Sequence, residues 1–229
     1  MPPFIVAIDG PAGAGKSTVS KLLARRLGLS FVDTGALYRT VALSARREGI
    51  ASDDDARLAE LLRRIQISFK AVGEENRVYL DGEDVSSEIR APEISLAASA
   101  VSARPVVRDG LLELQRRLAL EAPVGAVLEG RDIGTVVFPE ADLKFFLEAN
   151  PDVRARRRYE EMFQKGAEST LDAVLADQTK RDRDDASRAV APLRPADDAV
   201  RVDSSVLPLS EVVQQLERVI RERMAARGG

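Results

Sequence analysis

The chain has 229 residues, is 45% hydrophobic, carries a formal charge of −3 at neutral pH, and contains neither cysteine nor histidine. That length and apolar content suit one large domain, or a core with insertions. The missing residue types exclude disulfides, thiolate and imidazole metal sites, thiol nucleophiles and a Ser-His-Asp triad, and the mildly acidic balance argues against a general attraction to nucleic acid. No apolar run approaches the length of a membrane span, and the N-terminus lacks the basic and apolar regions of a signal peptide. A soluble cytoplasmic protein with no membrane and no nucleic-acid partner is expected.

The first element is a strand-type apolar run from Phe4 to Ile8, followed by Gly10, Pro11, Ala12, Gly13, Ala14, Gly15, Lys16, Ser17 and Thr18. Gly10, Gly15, Lys16 and Ser17 fit the phosphate-loop pattern, in which successive backbone N–H groups turn toward one anion at a helix N-terminus. Lys16 can reach the outer phosphates and the Ser17 hydroxyl can ligate Mg²⁺. A plain glycine-rich turn is the bland alternative, but the strand before and the helix after are the context the motif requires.

The first helix buries Val19, Leu22, Leu23 and Leu27 and stops at Gly28. A short strand, Ser30 to Val32, leads through Asp33, Thr34 and Gly35 into a helix from about Ala36 to Arg47. In an open parallel sheet, ligands lie beyond the carboxyl ends of strands, so Thr34, Tyr38 and Arg39 fall where a second substrate would sit. Acidic residues from Asp53 to Asp55 start a helix with Leu58, Leu61, Leu62 and Ile65 on one face. Alternation at Ile67 and Phe69, then Val78 to Leu80 before Asp81-Gly82 and Val85, predicts a small antiparallel insert. Pro92 and Pro105 suit helix starts, and the second of these helices has an expected stripe of Val107, Leu111, Leu114 and Leu118. Ser99 and Arg108 lie near the ends of this pair.

Ala126 to Leu128 predicts a buried strand that delivers Gly130, Arg131 and Asp132 to its carboxyl end. Leu143 to Leu147 is another strand. Pro151 then opens a helix on which Arg154, Arg157 and Arg158 share one face, either a solvated basic face or a phosphate contact. Residues 164–167, from Gln164 to Ala167, read as the tip of a lid, with Ser169 or Thr170 capping the next helix. On that helix Arg181, Asp185 and Arg188 recur on one face, as substrate ligands or as ordinary ion pairs. Ala199 to Val202 is the last strand, and Leu209, Val213, Leu216 and Ile220 mark a closing helix. The fold class is α/β, with about five parallel strands flanked by helices. No internal repeat or low-complexity segment stands out.

A phosphate loop alone does not name a reaction. The chain has no Asn-Lys-x-Asp guanine reader, and without histidine it cannot contain the His-Arg-Asp segment of a protein kinase. Arginines on three segments suit phosphoryl transfer, which needs positioning and charge neutralisation. A phosphate acceptor needs no imidazole base, so a nucleoside monophosphate fits better than an alcohol, although a carboxylate could serve there. A kinase of UMP, shikimate or gluconate, or a nucleotide-binding regulator without transferase activity, stay open at this point.

Ile8 to Ser17, Asp33-Thr34-Gly35-Ala36-Leu37-Tyr38-Arg39, Leu80 to Val85, Gly130-Arg131-Asp132 running to Phe138-Pro139, and Arg188 to Leu193 together resemble the bacterial cytidylate kinases. The match covers nearly the whole chain in order. The resemblance implies a P-loop kinase that transfers the γ-phosphoryl of ATP to CMP or dCMP with Mg²⁺; a monomer is expected. It implies a core of residues 1–33, 111–153 and 171–229, a monophosphate-binding region of 34–110 with the antiparallel insert, and a lid of 154–170. Carried over by position, Thr34, Arg108, Asp132 and Arg188 would surround the cytosine, and Ser99, Arg181 and Asp185 would approach the sugar. Arg39 and Arg131 would hold the acceptor phosphate, and Arg157 and Arg158 would close over ATP. Thr34 stands where some members have serine, which keeps the hydroxyl and adds a methyl group.

Overall fold

The computed structural model describes residues 2–73, 75–164, 166 and 168–228. Its elements are β1 (Phe4–Asp9), α1 (Lys16–Leu27), β2 (Ser30–Asp33), α2 (Thr34–Arg47), α3 (Asp55–Arg64), β3 (Ile67–Val72), β4 (Glu75–Leu80) and β5 (Glu83–Asp84). There follow a 3₁₀ turn (Glu88–Arg90), α4 (Pro92–Ser102), α5 (Pro105–Leu120), β6 (Gly125–Gly130), a π-helical turn (Ile133–Val137), β7 (Leu143–Glu148), α6 (Pro151–Gln164), α7 (Leu171–Ala186), β8 (Val200–Asp203) and α8 (Leu209–Gly228). The chain folds as two compact units, one of Met1–Val32 with Leu118–Gly229 and a second of Asp33–Arg117.

In the first unit the sheet runs in the order β2-β6-β1-β7-β8, and β1 pairs in parallel with both β6 and β7. β1 is buried along its whole length, which is why it reads as an uninterrupted apolar run rather than an alternating one. The chain leaves β1 toward β2 on one side, and the later strands β7 and β8 lie on the other, so the carboxyl end of β1 is a topological switch point. One side of the sheet packs Val6, Ile8, Val127, Phe145 and Leu147 against Leu23 of α1 and Val213, Leu216 and Ile220 of α8. Each such aliphatic side chain contributes about 2 kcal/mol by leaving water. That packing holds the switch point rigid.

In the second unit β3, β4 and β5 form the expected antiparallel sheet, with Ile67 opposite Leu80 and Phe69 opposite Val78. Helices α2 and α4 pack together and bury Leu37, Val41, Ile94, Ala98 and Val101. α3 starts where the acidic run predicts, its Asp54 carboxylate accepting the Arg57 N–H at 3.0 Å.

Three details differ from expectation. The buried line of α5 is Val107, Leu111, Gln115 and Ala119, and Leu114 and Leu118 are only partly covered. A strict four-residue step lets a polar residue into that line because Gln115 donates to the Leu111 carbonyl at 3.3 Å. Leu209 is exposed at the first turn of α8, where Val212 and Val213 take up the packing. The π-helical turn after Asp132 carries no periodic sequence signal. Of the expected lid tip, Lys165 and Ala167 lie outside the described residues; Thr170 caps α7, accepting from Ala173 N–H at 3.2 Å.

Candidate active site

The phosphate loop joins the switch point to α1. Gly10 has φ +148°, and a Cβ there would lie 2.0 Å from the Leu147 carbonyl oxygen, so no other residue fits. Gly13, at φ +77°, is walled by Gln178 and Arg154, 3.0 and 3.1 Å from where its Cβ would be. α1 begins at Lys16, so the orphan N–H groups of its first turn face the loop. Lys16 is only 6% exposed and donates to the Pro11 carbonyl at 2.7 Å. Burial and then Arg131 hold its ammonium well below the usual lysine range, against the opposite pull of Glu129 and Asp9. Ser17 and Thr18 are exposed on the first turn.

Asp9, the last residue of β1, ties this loop to the segment after β6. Its two carboxylate oxygens accept the Ile133 N–H at 2.8 Å and the Gly134 N–H at 2.7 Å, fixing the turn that follows Arg131 and Asp132. Burial raises its pKa from 3.8 to about 6, opposed by those two N–H groups and by Lys16 and reinforced by Asp132. A raised carboxylate favours the folded state most in acid, below the unfolded value near 3.8, and that contribution is lost as pH rises through 6. Measured against Asp9→Asn by urea unfolding, the wild type should therefore lose about 2 kcal/mol between pH 4 and pH 7. A stability difference that does not vary over this range would show that Asp9 titrates normally.

The arginine-rich segments converge within the same unit. Arg131 donates its Nε to Asp185 at 2.8 Å and Arg188 donates to the other oxygen at 2.5 Å. Asp185 is 1% exposed. Burial alone would raise its pKa, but Arg131, Arg188 and Arg181 outweigh that and hold the carboxyl below the ordinary aspartate value. α7 ends at Ala186, so Arg188 does not share the expected helix face with Arg181 and Asp185; it reaches Asp185 from just past the helix, and Arg131 reaches it from the end of β6. Asp132 is buried beside it.

The three arginines of α6 separate. Arg154 is not on a solvent or phosphate-facing surface: it is 3% exposed and donates to Ala12 O at 2.9 Å and to Asp182 at 2.6 Å. Arg157 donates to the Ser204 carbonyl at 2.6 Å. Arg158, further along the helix, pairs with Glu161 at 3.3 Å and keeps about a third of its side chain exposed. Ser204 went unseen in the sequence, and no local pattern marks it.

In the second unit Tyr38 and Arg108 are buried together, the guanidinium carbon 5.6 Å from the ring centroid. Arg108 donates to Ser102 O at 3.0 Å, and the Ser102 hydroxyl donates to Ser99 O at 3.0 Å, so Ser102 links two residues singled out by position. Thr34 is buried at the start of α2. Asp33 accepts the Ala36 N–H at 2.9 Å and Arg39 at 3.0 Å, while Arg39 Nε is buried with no hydrogen-bond partner.

Among the described residues, no helix is long and apolar enough to cross a membrane. The sequence profile for cytidylate kinase matches residues 6–222. A cytidylate kinase of Geobacter sp. (strain M21) is 56% identical over 96% of this chain and 94% of its own length. Those of Mycobacterium leprae (strain Br4923) and Vibrio cholerae serotype O1 are 47% and 45% identical, covering 99% and 97% of their own lengths and 99% and 96% of this one. Among solved structures, an uncharacterized protein from Eubacterium ventriosum ATCC 27560 shares the fold with a TM-score of 0.52 at 13% identity, over 95% of this chain and 98% of that one. A profile match over nearly the whole chain, relatives of this identity at full length, and a phosphate loop with Arg131, Asp132, Asp185 and Arg188 gathered in the same unit lead to one conclusion: the chain belongs to the cytidylate kinase family.

Proposed function

We propose that the protein transfers the γ-phosphoryl group of ATP to CMP or dCMP, giving ADP and CDP or dCDP. The observation that carries this reading is the buried Asp185 held between Arg131 and Arg188, in the unit that carries the phosphate loop. Several guanidiniums around one internal carboxylate support recognition of an anionic, hydroxyl-bearing acceptor. A phosphate oxygen of CMP attacks the γ-phosphorus and the bond to the bridging β,γ-oxygen breaks; no proton need be removed from the acceptor, which agrees with a chain lacking histidine. Residues Gly10 to Thr18 cradle the donor. Lys16, Arg39, Arg131, Arg157 and Arg158 neutralise charge on the transferring group, Arg157 by leaving Ser204. The buried Nε of Arg39 favours its role as a phosphate donor group. Ser17 offers an exposed hydroxyl, a hard oxygen suited to Mg²⁺, which when bound with ATP draws charge from the β- and γ-phosphates. Thr34, Tyr38, Arg108, Asp132 and Arg188 serve the base, and Ser99, Arg181 and Asp185 the sugar. The enzyme acts in the cytoplasm as a monomer, with residues 154–170 as a lid. A panel of CMP, dCMP, UMP, shikimate and gluconate with Mg-ATP, scored for ADP release, tests the reading; release only with an acceptor other than CMP or dCMP overturns it.

Specificity follows from Asp132. A carboxylate only accepts hydrogen bonds, cytosine presents an N4 amino donor, and uracil presents a carbonyl oxygen that would meet Asp132 with like partial charge. A site built around such a bond discriminates by roughly 10⁴ when the partner group is missing. Asp132→Asn should erode the CMP-over-UMP ratio of kcat/KM by about tenfold or more and leave KM for ATP within about twofold. An unchanged ratio in the folded variant would assign cytosine recognition to Arg108 and Arg188 instead.

A further inference from the structure

Three phosphate-loop carbonyls are each met by a donor side chain: Lys16 Nζ lies 2.7 Å from Pro11 O, Arg154 Nη1 2.9 Å from Ala12 O, and Ser204 Oγ 3.1 Å from Ala14 O. A trans peptide is planar, and its C=O and N–H point in opposite directions. A donor that fixes the Ala12 carbonyl on one side therefore fixes the Gly13 N–H on the other. Lys16 must leave Pro11 to reach a phosphate, and the Ser204 hydroxyl proton is shared between Ala14 O and Glu148 O at 3.2 Å. Arg154 has neither constraint. Its Nε donates to Ala149 O at 2.9 Å and its Nη2 to Asp182 at 2.6 Å, so all three arms of the guanidinium are held. Gln178 donates to the Arg154 carbonyl at 3.4 Å and closes the same wall against Gly13.

We infer that Arg154 is a positioning residue for the donor nucleotide: anchored by Asp182, it clamps the Ala12–Gly13 peptide so that the Gly13 N–H is presented to the ATP phosphates. This rests on the reading of the loop as the ATP cradle and is independent of the acceptor. The geometry explains why an arginine is needed. A lysine ammonium can reach one or two of the three acceptors but cannot span Ala149 O, Ala12 O and Asp182 from one planar group. It also accounts for the place of Asp182 on α7: the clamp joins α6, α7 and the loop.

Calorimetric titration with Mg-ADP and, separately, with CMP tests this in the wild type, Arg154→Met, Arg154→Lys and Asp182→Asn, each checked for thermal unfolding. Charge-assisted hydrogen bonds removed from a buried site should weaken ADP about tenfold or more in Arg154→Met, about fivefold in Arg154→Lys and about threefold in Asp182→Asn, which keeps an acceptor for Arg154. CMP affinity should stay within about twofold throughout. Should Arg154→Met not fold, the other two variants decide. ADP affinity within twofold of wild type in folded Arg154→Lys and Asp182→Asn, or an equal loss for ADP and CMP, overturns the inference. Failure of the wild type to bind CMP would count against the acceptor alone, and the ADP series would still decide the role of Arg154.

Discussion

Replacing Lys16 by methionine is expected to lower kcat for phosphoryl transfer by roughly a hundred- to a thousandfold while leaving the protein as stable as the wild type or more so. The loss follows from removing a cation aimed at charge that grows in the transition state, where one preorganised donor is worth about 3 to 4 kcal/mol. The stability expectation has a separate source. The Lys16 side chain is buried, and desolvation together with Arg131 disfavours its charged form, so the fold holds that charge less well than water does. Methionine keeps the unbranched stem and removes that cost, giving up one bond to the Pro11 carbonyl. Steady-state turnover together with thermal unfolding checks both halves: near-normal kcat would remove Lys16 from the reaction, and a melting temperature far below wild type would mean that the loop needs its ammonium as a strut.

Asp185→Ala should be the most damaging single change to the fold near the site. Taking away one partner of a buried ion pair costs about 3 to 5 kcal/mol, because the guanidiniums of Arg131 and Arg188 are left without their counter-charge. For a chain of this length that corresponds to a fall of roughly 10 °C in melting temperature. The folded carboxyl titrates below the ordinary value of 3.8, so the stability it contributes is present above that value and is lost only as pH falls through the depressed one. The gap between wild type and variant should therefore be constant from pH 7 down to about 4 and close only in stronger acid, opposite in sense to the behaviour expected of Asp9. Asp185→Asn, which keeps two polar atoms toward the arginines, should recover part of the stability but little of kcat/KM for CMP. A gap that closes already near pH 6, or an alanine variant as stable as wild type, would mean that the arginines find other partners.

The phosphate loop was legible because its chemistry is local: nine consecutive residues, a strand before and a helix after. The α7 spacing held only in part: Arg188 does meet Asp185, but from beyond the end of the helix at Ala186 and not from the expected helix face. Spacing failed at α6 for a definite reason. Residues three and four apart share an azimuth about the helix axis, but azimuth says nothing of depth along it. In α6 only Arg154 and Ala155 are buried and the residues after them are half-buried or exposed, so Arg154 is sealed against the loop while Arg158, on the same side, meets solvent. Gln115 replaced an expected leucine in the α5 line because a side chain that satisfies its own amide within the helix can be buried as an apolar one is. Asp9 carried a usable signal, a carboxylate at the carboxyl end of the strand that opens the loop. Ser204 and Asp182 carried none, since their value lies in partners far away in sequence.

That distance bears on how the protein is made. The cradle is nine residues long, yet the groups that hold it lie far along the chain: the Asp9 carboxylate beside it accepts from Ile133, 124 residues on, the Ala12 carbonyl from Arg154, 142 on, and the Ala14 carbonyl from Ser204, 190 on. Closing loops of that length before any contact forms is slow and entropically costly. A chain stalled before β8 therefore displays the complete glycine motif without the Ser204 bond to the Ala14 carbonyl. The motif is complete in the sequence long before the residues that hold it in place.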